Sequence, residues 1–216
     1  MYHLKSSPVH NVQDLLDGNK SLWNPLNKCS IPLDLSKSLK NSKLLLCHDF
    51  AGGYKEDANI QGTFLGDNND FGYSCQYLHF VDVFCYFSHH LVTIPPLQWT
   101  IACHRQKIPC IGTVIVEWER GIDQIMNLMY GPNYRKEFES RQRDFDPYFA
   151  DRLVDVAEYY GFDGYLINIE SPLPSSTHTF VLKRFVQYLT KRIQQRIPNS
   201  QIIWYSLAFS TFQVNI

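Results

Sequence analysis

Five short apolar runs, each closing on polar or aromatic residues, limit what this chain can fold into. They are Leu44-Leu45-Leu46-Cys47 before His48-Asp49, Phe80 to Phe87 before Ser88-His89-His90, Cys110 to Val116 before Glu117-Trp118, Tyr165 to Ile169 before Glu170, and Ile202-Ile203-Trp204-Tyr205. Runs of this length, rich in β-branched and aromatic residues and bounded by turn formers, read as buried strands. Helical spacing fills much of the gaps between them. Leu97, Thr100, Ile101 and His104 follow Pro95-Pro96, and Phe149, Leu153, Val156, Ala157 and Tyr160 follow Asp146-Pro147, prolines that suit a first helical turn. Phe180, Val181, Phe185, Tyr188, Leu189 and Ile193 make a third stripe, and Ile122 to Tyr130 a weaker one. Lys55 to Tyr77 has no helical period, so the first crossover reads mostly as loop. Strands alternating with crossovers imply a parallel sheet covered on both faces.

The residues just after the first strand separate a barrel from an open sheet. His48-Asp49-Phe50-Ala51-Gly52-Gly53-Tyr54 does not fit the G-x-G-x-x-G of a dinucleotide fold. An α/β barrel with its chemistry at the C-terminal strand ends fits better. The 216 residues are short of the ~250 usual for eight βα units, so the expectation is the N-terminal five-strand portion of a (β/α)8 TIM barrel, incomplete at the C-terminus. Residues 1–43, broken by prolines, read as an N-terminal extension or loose strap, 44–206 as the partial barrel and 207–216 as a divergent tail.

The stretch from Gly161 to Pro172 carries the plainest chemical signal. Asp163-Gly164 reads as a tight turn into a strand, along which side chains alternate between faces. Tyr165, Ile167 and Ile169 share one face, and Leu166, Asn168 and Glu170 the other. Two polar groups together at the end of a buried strand are costly unless partners or a ligand meet them, which makes Asn168 and Glu170 site candidates. A net charge of −1 without a basic stripe argues against nucleic acid as a partner. The start Met1 to Pro8 lacks the apolar core of a signal peptide and no apolar run reaches the ~18 residues of a membrane span, so an intracellular, soluble chain is expected. Six cysteines without a C-x-x-C pair, with Cys47, Cys85 and Cys110 inside strand-like runs, read as buried free thiols of a reducing compartment. His89, His90, Cys103 and His104 lack a metal-ligand spacing, and neither metal nor cofactor is expected. The charged run Arg135 to Arg143 reads as a solvated face.

Taken jointly, His48-Asp49-x-x-Gly52-Gly53-Tyr54, Tyr86-Phe87-Ser88-His89-His90 through Ile94-Pro95-Pro96, Gly112-Thr113 with Glu117-Trp118, Asp163-Gly164-x-Leu166-Ile167-Asn168-Ile169-Glu170 and Trp204-Tyr205 resemble the cytosolic endo-β-N-acetylglucosaminidases of glycoside hydrolase family 85. The motifs fall in the family's order over roughly residues 44 to 205. The resemblance implies cleavage, without a metal, of the β-1,4 bond between the two N-acetylglucosamines of an N-glycan core, on free oligosaccharide or glycopeptide in the cytosol. It implies that the substrate's own 2-acetamido oxygen is the nucleophile, an exception to the two-carboxylate rule. Glu170 would then be the general acid, a role that asks for partial burial, and Asn168 would orient the acetamide and stabilise an oxazolinium-like intermediate. Tyr205 is similar to a family tyrosine that contacts the same group. Glu117 and Trp118 resemble walls of the sugar subsite, with His48 and Asp49 at the equivalent lip of strand one. The family usually continues Trp-Tyr-Asp-Ser, whereas this chain reads Trp204-Tyr205-Ser206-Leu207. The missing strands imply free sheet edges, hence possible self-association, and the alternative of an inactive form that at most binds sugar or a partner.

Overall fold

The computed structural model describes residues 7–34, 43–58, 75, 77–118, 121–134 and 145–205. Its frame is a six-stranded sheet. Strands β1 (Leu45–His48), β2 (Val83–Tyr86), β4 (Cys110–Val116), β5 (Gly164–Ile169) and β6 (Gln201–Trp204) run parallel in that order. The two-residue β3 (Val92–Thr93) lies antiparallel on β4. Helices α1 (Leu97–Arg105), α2 (Ile122–Tyr130), α3 (Tyr148–Tyr160) and α4 (Ser176–Arg196) supply the cover. This is the α/β frame that the alternating apolar runs predict. The strand β3 is additional, its two residues being too few to show a period. The first crossover and the run Arg135 to Arg143 lie mostly or wholly outside the described residues.

Register assigns each side chain to a face. Leu45 pairs with Val83, Cys47 with Cys85, Thr113 with Leu166, and Leu166 with Ile203. Val83, Cys85, Ile111 and Leu166, with Ile203 against them, form a small cluster on the inner face, away from the helices. The other face carries the larger cores. Phe84, Tyr86 and Cys110 pack with Trp99 and Cys103 of α1, while Val114, Val116, Tyr165 and Ile167 pack with α2, α3 and α4. Each large apolar side chain so buried stabilises the fold by about 1.5–3 kcal/mol. On α1 the buried side is Trp99, Thr100, Cys103 and His104, with Leu97 and Ile101 only half covered. The face expected from Leu97 and Ile101 is therefore rotated toward Trp99. On the inner face Leu45 is exposed and Ile203 half-buried, while Val83 is covered.

Two glycines matter for geometry. Helix α3 ends on Gly161 in the left-handed region, so the turn into β5 is made there and not at Asp163-Gly164. Gly164 opens the strand at φ +131°, where a Cβ would lie 1.9 Å from the Gln201 carbonyl oxygen, so β6 can pair closely only against glycine.

The segment expected to be a loose strap is built into the body. Val9 exchanges backbone hydrogen bonds with Val92 at 2.8 and 3.0 Å, extending the sheet beyond β3. Val12, Leu15 and Leu22 enter the main core. Asn11 and Asp14 cap the first turn reciprocally. Farther on, Cys29 N–H donates to the Tyr160 carbonyl at 2.9 Å. The buried His104 then ties this segment to the barrel floor. Its Nδ1 donates to the Ile31 carbonyl and its Nε2 to Asp163 Oδ2 at 2.8 Å, an oxygen that also accepts from Cys110 N–H at 2.8 Å. Both ring nitrogens face acceptors, which requires the imidazolium. Burial opposes that charge, but Asp163, Cys29 and the Ile31 carbonyl outweigh it and hold the His104 pKa up at about 11.

Candidate functional site

The C-terminal ends of the parallel strands gather the polar residues that the inner-face alternation delivers. Asn168 follows Leu166 on the inner face and is 5% exposed, and Glu170 lies one step farther along. The Asn168 Nδ2 donates to Glu170 Oε1 at 3.3 Å. Glu170 N–H donates to the Val116 carbonyl at 2.8 Å, which continues the β4–β5 ladder and sets Glu170 beside Glu117. Tyr205 N–H donates to the Ile167 carbonyl at 2.9 Å, which continues the β5–β6 ladder and sets Tyr205 beside Asn168. Glu117, Asn168, Glu170 and Tyr205 thus stand at the tips of three adjacent strands, in phase with the inner face. Glu170 is exposed, which corrects the partial burial expected of it. Burial falls along the strand end from Asn168 through the half-buried Ile169 to Glu170.

Trp118 stands at the same rim. It is 72% exposed, with its backbone in the left-handed region at φ +60°. A bulky residue there is strained and persists only when its surroundings hold it. The Trp118 carbonyl accepts from Ser171 Oγ at 2.6 Å and from Gly121 N–H at 3.0 Å, so the ends of β4 and β5 are locked together around it. An indole presented to solvent beside carboxylates and an amide suits a ligand with apolar faces and hydroxyl edges.

On the far side of Glu117 stands His89, which sequence reasoning set at the end of the second strand and weighed as a metal ligand, but gave no part in contacting the glycan. Its Nδ1 lies 3.3 Å from both Glu117 carboxylate oxygens and its Nε2 3.8 Å from Asp49 Oδ2, so it spans the ends of β1, β2 and β4. The signal was available in the alternation Val83, Cys85, Phe87, His89, which sends His89 to the inner face. His90 turns away, its Nδ1 3.2 Å from that of His10. Burial, then the nearby His10 and His89, lower the His90 pKa. Cys103 and His104 lie toward the opposite end of the strands, so these residues do not converge.

Asp49 stands at this lip as expected, but His48 does not. His48 points into the layer between sheet and α1, where it is 6% exposed, contacts Asp57 Oδ2 through Nε2 at 2.9 Å and packs on Trp99 with ring centroids 4.7 Å apart. Adjacent strand residues face opposite ways, so one strand end cannot present both His48 and Asp49 to the same site. Asp57 in turn accepts through its backbone carbonyl from Trp99 Nε1 at 3.1 Å, so His48 anchors the loop after β1. Beneath the rim, the hydroxyls of Ser88, Thr93 and Thr113 form a buried hydrogen-bonded chain at 2.7 and 2.6 Å. No helix among the described residues is long and apolar enough to cross a membrane.

The chain is similar to known proteins in sequence and in fold. The sequence profile of Glycosyl hydrolase family 85 matches residues 54–215. The match runs past Tyr205, so the departure at Ser206-Leu207 does not end the likeness. The cytosolic endo-beta-N-acetylglucosaminidase of Mus musculus is 39% identical over 173 residues, covering 80% of this chain and 21% of that protein. The cytosolic endo-beta-N-acetylglucosaminidase 1 of Arabidopsis thaliana is 36% identical over 204 residues, covering 93% of this chain and 28% of that protein. The crystal structure of the glycoside hydrolase domain of Endo-D from Streptococcus pneumoniae R6 is alike in fold, with TM-score 0.67 and 21% identity over 94% of this chain and 32% of that one. The chain spans about a quarter of the length of the curated relatives it matches.

Proposed function

The chain belongs to glycoside hydrolase family 85, and from that premise we propose that it carries the acid and acetamide-orienting residues of an endo-β-N-acetylglucosaminidase acting on the core GlcNAc-β1,4-GlcNAc bond of N-glycans. The observation that carries the reading is the hydrogen bond between Asn168 and Glu170 at the end of β5, flanked in register by Glu117 and Tyr205. In this mechanism the 2-acetamido oxygen of the substrate attacks its own anomeric carbon while Glu170 protonates the departing sugar oxygen. Glu170 then takes a proton from water as the oxazolinium-like intermediate opens, giving net retention. Asn168, buried and fixed by its neighbours, binds the acetamide and holds it for attack, with Tyr205 on the same group. Since Glu170 is exposed, the bound sugar itself supplies the desolvation that an acid in this role needs. Trp118 stacks on a sugar face and Glu117, held by His89, takes hydroxyls, with Asp49 at the far lip. His48 has no part in contacting the glycan. The relatives are named cytosolic, and the cytosol is the compartment we assign to this chain.

A second reading is that the chain binds glycan without cleaving it. It is favoured by the exposure of Glu170, which lacks in the free chain the burial that an acid in this role needs. The test is release of a labelled N-glycan from a glycopeptide by the purified chain and by Glu170→Gln, with the fold of both checked by circular dichroism. Release lost in Glu170→Gln supports the enzyme. Release that survives the substitution moves the acid elsewhere, to Glu117 first, and binding without release selects the second reading.

A further inference from the structure

Cys47 and Cys85 are partners in the β1–β2 register, and both point to the inner face. Neighbouring strands lie about 4.8 Å apart, and a disulfide spans Cα separations of about 4.4–6.8 Å, so the sheet holds these two sulfurs at bridging range. Their surroundings differ sharply. Cys47 is exposed, contrary to its expected burial, and lies on a strand at the end of the described sheet order. Cys85 is fully buried, its thiol lying 3.8 Å from the Gly112 carbonyl. The remaining buried cysteines, Cys29, Cys103 and Cys110, have no such combination of an accessible sulfur and a register partner.

We propose that Cys47 and Cys85 are a peroxide-responsive dithiol, with Cys47 the sulfur that meets the oxidant and Cys85 the sulfur that resolves it. The Cys47 thiolate attacks one oxygen of the peroxide, the O–O bond breaks, and the other oxygen leaves as water after taking a proton. Cys47 is then a sulfenic acid. The Cys85 sulfur attacks the Cys47 sulfur, the S–O bond breaks, and hydroxide leaves with the Cys85 proton as a second water. The two cysteines have together given two electrons and two protons to the peroxide. The neighbouring Cys85 thiol lowers the Cys47 pKa, against burial and the nearby Asp49, and the neighbouring Cys47 with burial raises that of Cys85. The lowered pKa thus belongs to the exposed sulfur, the one an oxidant reaches first, and the raised pKa to the buried one. The bridge would lie two residues below Asp49 on β1 and on the strand that leads to His89, directly under the rim. It needs no glycan and no catalysis, so it stands independently of the proposed activity.

The test treats the purified chain with hydrogen peroxide, then denatures and alkylates it before intact mass measurement and non-reducing peptide mapping. The expected product has lost two hydrogens, has four of its six thiols alkylated and yields one linked peptide pair, Cys47 with Cys85. Dithiothreitol should restore all six. In Cys85→Ser the bridge should be lost and Cys47 should become trappable by dimedone as the sulfenic acid. A linked pair that excludes Cys47 or Cys85 would overturn the proposal. So would dimedone capture at Cys47 in the unsubstituted chain with no bridge, or no thiol lost at all. The unsubstituted chain decides these outcomes even if Cys85→Ser folds poorly.

Discussion

Replacing His104 with leucine probes the joint between the N-terminal segment and the barrel floor. Leucine keeps much of the volume, so little of the effect comes from a cavity. The loss is electrostatic. Asp163, 4% exposed, loses its imidazolium partner at 2.8 Å, and the Ile31 carbonyl loses its His104 donor. Removing one member of a buried ion pair costs about 3–5 kcal/mol, a large share of the ~5–15 kcal/mol typical of a domain. At ~2–4 °C per kcal/mol for a chain of this size, His104→Leu should lower Tm by about 6–20 °C. The double variant His104→Leu with Asp163→Asn should recover part of that loss, because it removes the stranded charge as well. The pH dependence comes from the same pair. The folded pKa, about 11, lies above the ordinary 6.5, so the pair's contribution is complete below pH 6.5 and declines as pH rises toward about 11. Thermal melts by circular dichroism at pH 6, 8 and 9.5 should show that decline in the native chain and lose this component in His104→Leu. A single variant within about 1 kcal/mol of the native chain, with an unchanged pH profile, would refute the reasoning.

Three further outcomes are expected. Leu15→Ala, at a fully buried site between the N-terminal segment and the helices, should cost about 2–5 kcal/mol in chemical denaturation, whereas a loose strap would show almost no effect. His90, whose pKa is lowered by burial and then by His10 and His89, should make the Val9–Val92 joint less stable as pH falls through 6.5, seen as faster amide exchange at Val9 and Val92 and reduced in His90→Gln. The outer edges of β1 and β6 have no strand partner among the described residues, so sedimentation should show self-association that rises with concentration and weakens when Leu45→Lys charges one edge.

Strand positions were legible because a period of two and polar closure leave a mark on even four or five residues. The same alternation delivered Leu166, Asn168 and Glu170 to one face. It also contained the case of His48, since neighbours in a strand must point apart and only Asp49 reaches the rim. The N-terminal segment was opaque for a physical reason. Val9, Val12, Leu15 and Leu22 are buried from a bridge and short 3-10 turns, whose spacing matches neither a helix nor a strand. Exposure was harder still. The apolar run around Cys47 looks buried, but its strand sits at the edge of the sheet, and sheet order is not written in the run itself. His89 needed both the alternation and the knowledge that Glu117 and Asp49 would meet across three strand ends.

The central claim is that the inner-face tips of β4, β5 and β6 form the glycan site. It is met most directly by an NMR titration of the Glu170→Gln chain, in which substrate is not consumed, with an N-glycan carrying the intact chitobiose core. The expected result is saturable shifts of the Asn168 side-chain amide, the Trp118 indole N–H and the Tyr205 backbone amide, while Asp163 and His104 at the opposite end stay in place. Saturable shifts centred on the Asp163 end, or none in a chain that remains folded, would contradict it.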